Sequence, residues 1–268
     1  MTNLENPLVE LMRYPEKNGL IVGCEGMGWP DAKVLLGQID GHVGIAKVHN
    51  IALKDGLGPA ERTIREMGYL TMADYRLFDI ESTVKDTARI VTECGVSLMS
   101  VQASGGEEML SAAVAGRDKG RNKIKDPFKS DHISKIGLIL ASTVPASFDD
   151  EKCEKIYGAD VMTTVKKFAF VALEAGVEGI ICSAQEVSMI RQIRAFDGLA
   201  VVAESVTPEG SPPLKEHERP GTPYQVMKEG ADGLIISRAV REGPHSMAPS
   251  TAARNIAQAM QQGREAST

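Results

Sequence analysis

The chain has 268 residues, 43% of them hydrophobic and 25% charged, which is enough for one large domain with its own core. Its formal net charge of −6 argues against nucleic acid or an anionic membrane as the partner of the whole chain. No apolar run approaches the roughly 20 residues of a membrane span, and Met1–Asn6 lack the pattern of a signal peptide. We therefore expect a cytoplasmic protein.

Four cysteines are spread along the chain and form no C-x-x-C pair: Cys24, Cys94, Cys153 and Cys182. In a cytoplasmic protein this spacing predicts free thiols rather than disulfides or a zinc site.

Eight short apolar segments follow one another along the chain, and each is nearly continuous rather than alternating. Such runs are typical of strands buried on both faces of a parallel sheet. The predicted strands are Gly19–Cys24, Val43–His49, Leu70–Asp74, Leu98–Ala103, Ile136–Thr143, Gly179–Ser183, Leu199–Ser205 and Gly233–Ser237.

Helical stretches separate the predicted strands. They include Asp31–Ile39, Pro59–Met67, Thr83–Cys94, Glu107–Ala115, Val161–Ala175 and Pro223–Lys228. Glycines that suit left-handed helix C-caps precede several strands, at Gly68, Gly95, Gly176 and Gly230.

This alternation predicts a (β/α)₈ TIM barrel formed by a single domain, residues 1–268. A doubly wound open sheet is the alternative. The basic segment Arg117–Lys135 is predicted to be an irregular insertion, most simply a solvated loop, with phosphate steering as the other interpretation.

The third predicted strand runs directly into three charged residues, Asp74, Arg76 and Asp79. Charges are costly to bury unless they are paired, so a strand that ends in this way is typical of a site. Asp74 and Arg76 are two residues apart and would point to the same face of a strand. A surface ion pair with a helix cap is the simpler interpretation of the same residues.

Polar groups also end the other strands, where a barrel carries its chemistry. Lys47 lies within an apolar stretch and needs an anionic partner, for which Asp74 on the neighbouring strand is the candidate. A lysine that extends to the solvent from a strand edge is the alternative. After the eighth strand, Ser237 and Arg238 stand where barrels often bind a phosphate, and the turn-rich loop Thr207–Pro212 could cover a ligand there.

With these residues in view, the chain resembles the orotidine 5′-phosphate decarboxylase family over roughly residues 18 to 260. The matching motifs are Ala73–Ile80 with Thr83, Ala103–Gly106, Gly179–Glu186, Thr222–Pro223, Gly230–Gly233 and Ser237–Arg238.

The resemblance implies a homodimeric barrel that uses no metal or organic cofactor. It implies that Lys47 and Asp74 belong to a catalytic charge network, with Asp74 facing the substrate carboxylate. It further implies that Asp79 and Thr83 cross the dimer interface. Binding roles are implied for five more residues, with Ser142 near the pyrimidine and Arg238 at the phosphate: Glu25, Ser142, Glu209, Ser237 and Arg238.

The chain departs from the family pattern at several of these positions. Arg76 stands where the family motif D-x-K-x-x-D has a lysine that delivers a proton, and arginine is a much weaker acid. Glu25 stands where the family usually has an aspartate, and Glu209 stands where it usually has a phosphate-binding glutamine. Gln102 replaces a common histidine, and Ser237 replaces a common glycine.

The expected function is decarboxylation of orotidine 5′-phosphate to uridine 5′-phosphate, or the same reaction on a close nucleotide analogue. One alternative is a divergent enzyme that acts on an altered nucleotide, or a sugar-phosphate lyase or isomerase that uses Mg²⁺ held by Glu25 and Asp74. Another is a non-catalytic nucleotide-binding protein.

Overall fold

A computed structural model describes residues 6–13, 19–124, 135–211, 218–242 and 247–267. All eight predicted strands are present, and their bounds lie close to the predicted ones except at the end of the third, which continues to Leu77. The strands are β1 (Leu20–Gly23), β2 (Ile45–Val48), β3 (Leu70–Leu77), β4 (Leu98–Gln102), β5 (Leu138–Ser142), β6 (Gly179–Ser183), β7 (Ala200–Glu204) and β8 (Gly233–Ile236).

The strands form a closed barrel in sequence order, and β1 pairs with both β2 and β8. Every pairing is parallel, which confirms the predicted (β/α)₈ TIM barrel and removes the open sheet as an alternative. The pairing of β3 with β4 shifts register between Ala73 and Leu77. Asp74 and Arg76 lie within this irregular stretch.

Helices follow the strands, with short 3₁₀ turns at Ala103–Gly105, Ala184–Glu186 and Arg194–Phe196. The helices of the described residues are α1 (Pro7–Arg13), α2 (Trp29–Gln38), α3 (Asn50–Asp55), α4 (Leu57–Glu66), α5 (Glu81–Glu93), α6 (Gly106–Arg121), α7 (Asp150–Tyr157), α8 (Val161–Glu174), α9 (Val187–Arg191), α10 (Pro223–Lys228), α11 (Arg238–Arg241) and α12 (Pro249–Glu265). The four predicted C-cap glycines, Gly68, Gly95, Gly176 and Gly230, all have positive φ, as the sequence predicts.

Two apolar layers hold the fold together. The larger lies between the barrel and the surrounding helices, and the smaller fills the interior with strand residues such as Ile21, Met72 and Leu98. Leu8 and Met12 of α1 belong to the interior cluster, so α1 packs against one end of the barrel. None of the four cysteines is in a disulfide, in agreement with the predicted free thiols.

Helices α5 and α6 approach each other closely because α6 carries glycines on the contact face. A Cβ atom on Gly116 would lie 2.1 Å from the carbonyl oxygen of Lys85, and one on Gly120 would lie 2.7 Å from that of Arg89. Backbone oxygens yield little, so these two positions set the distance between the helices.

The prediction of an irregular segment at 117–135 is wrong for its first residues. Residues 117–121 form the last turns of α6, and Arg117 is buried in an ion pair with Glu178 rather than solvated. The glycines on α6 explain the longer helix, because they allow close packing where charge alone suggested a loop. The predicted basic positions Lys125 and Lys129 lie outside the described residues, as do Met1–Glu5 and Pro212.

Among the described helices, none combines the length and apolar character needed to cross a membrane.

Candidate active site at the carboxyl ends of the strands

Lys47 is the centre of a buried ionic cluster at the carboxyl end of β2. Its Nζ atom is 2.9 Å from Oδ2 of Asp74 on β3, and it also donates to Oε1 of Glu25, just after β1. Burial alone would lower the pKa of Lys47, but the carboxylates of Asp74 and Glu25 outweigh it and raise that pKa. The predicted Lys47–Asp74 pair is therefore present, and the alternative of a solvent-reaching lysine is wrong.

Asp74 is held from three sides. Besides Lys47, Oγ of Ser100 donates a 2.6 Å hydrogen bond to Oδ1, and Nε of Arg76 lies 3.7 Å from the same oxygen. Burial would raise the pKa of Asp74, but Lys47, Arg76 and Ser100 together bring it below its usual value. The side chain is only 8% exposed, and it is kept as a carboxylate.

Arg76 reaches the cluster through an unusual backbone conformation. Its φ is 46°, in the left-handed region, and its N–H donates to Oγ of Ser100 at 2.9 Å instead of joining the regular ladder. Such a conformation costs on the order of 1–3 kcal/mol and is common at functional sites. The guanidinium then extends to Glu204 at the end of β7, where Nη2 and Oε2 are 2.8 Å apart.

The pKa of Arg76 lies above its usual value, first because of Glu204 and then because of Asp74, although burial opposes both. Arg76 is thus a permanent cation. The full network alternates in sign from Glu25 through Lys47, Asp74 and Arg76 to Glu204. Three carboxylates against two cations leave an excess of one negative charge.

A cavity of about 180 Å³ lies beside this network. Lys47 and Glu204 line it together with Ser205, Ser237 and Arg238, so two of the residues predicted near a phosphate, Ser237 and Arg238, share one space with the charge network. The buried hydroxyl of Ser205 has no hydrogen-bond partner among the described residues, and Ser205 has a φ of 59°.

Ser142 ends β5 and is 2% exposed. Next to it, the carbonyl of Thr143 accepts a 3.0 Å bond from Nε2 of Gln102 at the end of β4. Ser142 therefore lies at the same end of the barrel as the network, while its predicted contact with a pyrimidine stays a prediction.

Arg219 ties together the loops around this end of the barrel. Its buried guanidinium donates to Ser183 at 2.9 Å at the end of β6, to Glu186 at 2.8 Å just after it, and to the carbonyls of Val144 and Pro145 after β5. Burial raises the pKa of Glu186 although Arg219 opposes the shift.

Three predicted site residues lie away from the network. Asp79 and Thr83 are exposed on the outside of this chain, and Oδ1 of Asp79 accepts a 2.7 Å bond from the N–H of Ile80. Glu209 is exposed and lines a different groove, with Tyr224 of α10 and Asn255 of α12. Their roles stay predictions.

Two residues of the network, Glu204 and Ser100, have no predicted role. Glu204 could be recognised as a polar strand end, but its partner is 128 positions away in sequence. Ser100 is a small polar residue inside an apolar strand, and that pattern alone does not distinguish a ligand of Asp74 from a neutral core position.

Glu25 and Asp74, considered above as Mg²⁺ ligands, both contact Nζ of Lys47, so the ammonium stands between them. Within the described part of the chain, no three His, Cys, Asp or Glu side chains are grouped to hold a metal.

A parallel eight-stranded barrel with a buried lysine–aspartate network at its carboxyl ends defines the class, a TIM barrel with an ionic candidate active site. The family model described as "Orotidine 5'-phosphate decarboxylase / HUMPS family" matches residues 20–256. The chain belongs to this family.

Two curated relatives match more than nine-tenths of the chain. The orotidine 5′-phosphate decarboxylase of Moorella thermoacetica is 31% identical over 253 residues, which span 93% of this chain and 95% of the relative. That of Heliobacterium modesticaldum is 31% identical over 255 residues, or 92% and 97% of the two chains.

Among solved structures, the orotidine 5′-phosphate decarboxylase of Lactobacillus acidophilus superposes with a TM-score of 0.72 at 21% identity. The superposition covers 90% of this chain and 98% of the Lactobacillus acidophilus chain. At 21% identity it supports the fold alone. The predicted family is confirmed by the family model and the relatives, and so is the prediction of an enzyme of the orotidine 5′-phosphate decarboxylase type, a carboxy-lyase.

Proposed function

We propose that this chain decarboxylates orotidine 5′-phosphate to uridine 5′-phosphate. The observation that carries the proposal is the buried pair of Lys47 and Asp74, with Arg76 beside it, at the carboxyl ends of β2 and β3. The names of the relatives support the same substrate.

In the proposed reaction the bond between C6 of the pyrimidine and its carboxylate breaks, and the electron pair stays on C6. Carbon dioxide leaves, and C6 then takes a proton from water, which leaves hydroxide. Asp74 remains ionised beside the departing carboxylate because Lys47 and Arg76 hold it so. Arg76 stabilises the negative charge on C6 as a fixed cation, which is a common way to lower such a barrier.

Water is the proposed proton source because Arg76 is a poor acid. The reference pKa of arginine lies far above neutral pH, and Glu204 and Asp74 raise that of Arg76 further. Efficient general acids have a pKa near the working pH.

The substrate phosphate is proposed to bind at Arg238 and Ser237, which line the same cavity as Lys47. Arginine offers a planar fork of donors that matches phosphate oxygens. The binding energy of the phosphate at Arg238 would hold the pyrimidine ring of the substrate against the charge network.

We further propose a cytoplasmic homodimer in which Asp79 and Thr83 complete the partner's site. Phe78 and Ile80, on either side of Asp79, are 65% and 69% exposed, an apolar surface that a second copy would cover.

The test adds orotidine 5′-phosphate to the purified protein at high concentration and identifies uridine 5′-phosphate by chromatography and mass. Replacing Asp74 by Asn should lower kcat by about 10²-fold or more, since charge stabilisation by one group is worth this much. The matched control is Asp86→Asn, whose side chain is 74% exposed and forms a loose ion pair with Arg89. Absence of product in the wild type would refute the proposal.

A second candidate is changed chemistry on a related ligand, and the observation in its favour is the arginine at position 76 itself. Comparing the turnover of orotidine 5′-phosphate by Arg76→Lys and by wild type tests whether position 76 serves the usual reaction or a changed one. A large gain in turnover of orotidine 5′-phosphate would mean that the usual proton donor had been lost, whereas loss of activity would give Arg76 its own role. Arg65→Lys, whose own side chain is 44% exposed on α4 and pairs with Glu61 there, is the control at an arginine outside the site. Tight binding of uridine 5′-phosphate without turnover would instead indicate a binding protein.

A further inference from the structure

The ion pair between Arg76 and Glu204 crosses the mouth of the barrel. Arg76 lies on β3 and Glu204 ends β7, and strands four apart in a closed barrel of eight lie opposite each other. The 2.8 Å bond from Nη2 to Oε2 therefore passes over the barrel interior rather than along one wall.

The backbone is left-handed at both ends of this bridge. Among the described residues, only Arg76 and Ser205 combine a side chain with a positive φ, at 46° and 59°. Ser205 directly follows Glu204, and Arg76 lies in the register shift of β3 against β4. Two costly conformations at the two ends of one contact indicate that the contact is maintained for a purpose.

Stability is a poor explanation for the pair. The side chain of Arg76 is 34% exposed, and partly exposed ion pairs add little to the free energy of unfolding. Glu204, by contrast, is 14% exposed and lines the cavity with Lys47, so the pair lies in the site itself.

The bridge leaves part of Arg76 available. Nη2 is bonded to Glu204 and Nε lies near Asp74, while Nη1 makes no hydrogen bond to any described residue. A guanidinium held at two of its nitrogens presents the third in a fixed direction.

We propose that Glu204 is a positioning residue that holds the guanidinium of Arg76 across the barrel mouth, so that its Nη1 edge meets the charge that develops on the substrate. This inference rests on the proposed decarboxylation and deepens it. Glu204 touches Arg76 and acts through it.

The first test compares wild type, Glu204→Gln, Arg76→Gln and the double variant with orotidine 5′-phosphate. Glu204→Gln keeps the size of the side chain and removes its charge. We expect kcat to fall about 10- to 100-fold, the loss that a misplaced group typically causes, with KM changed much less. Because the two residues act as a unit, the double variant should be no slower than Arg76→Gln alone.

A chemical rescue provides a readout that a merely structural role would not produce. In Arg76→Ala, millimolar guanidinium should restore part of the turnover by occupying the vacated place, and the rescue should disappear when Glu204→Gln is added. Glu151→Gln, in an exposed pair with Lys155, is the control and should behave as wild type.

The outcomes separate this inference from the proposed function. An active wild type with Glu204→Gln within twofold of it, or a double variant whose loss is the product of the single losses, refutes the positioning role alone. If the wild type binds orotidine 5′-phosphate without turnover, calorimetry on the same four proteins replaces kcat, and additive changes in the free energy of binding refute the positioning role. If the wild type neither binds nor converts this nucleotide, both proposals fail.

Discussion

Replacing Lys47 by Met should destabilise the protein through the carboxylates that it leaves behind. The ammonium is the shared partner of Glu25 and Asp74, and Asp74 is almost fully buried. Removing one partner of a buried pair costs about 3–5 kcal/mol. Asp74 keeps Ser100 and Arg76, so we expect the lower end, about 3 kcal/mol. In a domain of this size that corresponds to a fall in Tm of about 6–12 °C.

The loss should depend on pH in a direction that follows from Asp74. Its pKa is lowered in the folded state, so its contribution is present above its unfolded pKa of about 3.9 and is lost as the pH falls through the folded value. The Tm difference between wild type and Lys47→Met should thus be largest near neutral pH and shrink below about pH 4. On the alkaline side, the raised pKa of Lys47 keeps its contribution present below about pH 10.4 and removes it at still higher pH.

Calorimetry across this pH range measures both effects. The double variant Lys47→Met with Asp74→Asn should recover much of the loss, because no buried charge at position 74 is then left without its ammonium. Lys155→Met, whose partner Glu151 is exposed, should change the free energy of unfolding by less than about 0.5 kcal/mol. A Tm of Lys47→Met within 2 °C of wild type, or a difference that grows in acid, would contradict the buried network.

Three further predictions concern single parts of the site. Arg238→Ala should raise KM for orotidine 5′-phosphate about 10- to 100-fold with a smaller effect on kcat, because a charged hydrogen bond contributes about 1.5–3 kcal/mol; steady-state kinetics would show an unchanged KM if the phosphate binds elsewhere. Mixing inactive Lys47→Met with inactive Asp79→Ala, with exchange of subunits, should restore about a quarter of wild-type activity, since half of the dimers would hold one intact site if Asp79 acts in the partner; no recovery would contradict a role of Asp79 in the partner's site. Ser100→Ala should raise the pKa of Asp74 and cost about 1–3 kcal/mol of unfolding free energy, measured by denaturation, and a neutral result would mean that water replaces the hydroxyl.

The barrel and the first half of the network could be predicted because both depend on local patterns. Continuous apolar runs gave all eight strands, and sequential strands of a barrel are neighbours, so Lys47 and Asp74 had to meet. The same logic does not reach Glu204. Its contact with Arg76 requires barrel closure and two left-handed residues, neither of which leaves a trace in the residue types involved.

The wrong prediction for residues 117–121 has a physical reason as well. Their charges suggested a solvated loop, but Gly116 and Gly120 let α6 pack closely on α5 as a helix, and Arg117 is buried in an ion pair with Glu178. Glu209 lines a groove with residues of α10 and α12, and its implied role at the phosphate stays a prediction.

The close contact between α5 and α6 has a consequence for tolerance to sequence change. Gly116 makes no contact with the charge network, yet any larger residue there would displace Lys85 and with it the start of α5, the helix that carries Thr83. In a saturation scan scored by growth, this position should therefore be as restrictive as a residue of the pocket. A map of intolerant positions would overstate the extent of the pocket, and some of its strongest signals would report helix spacing.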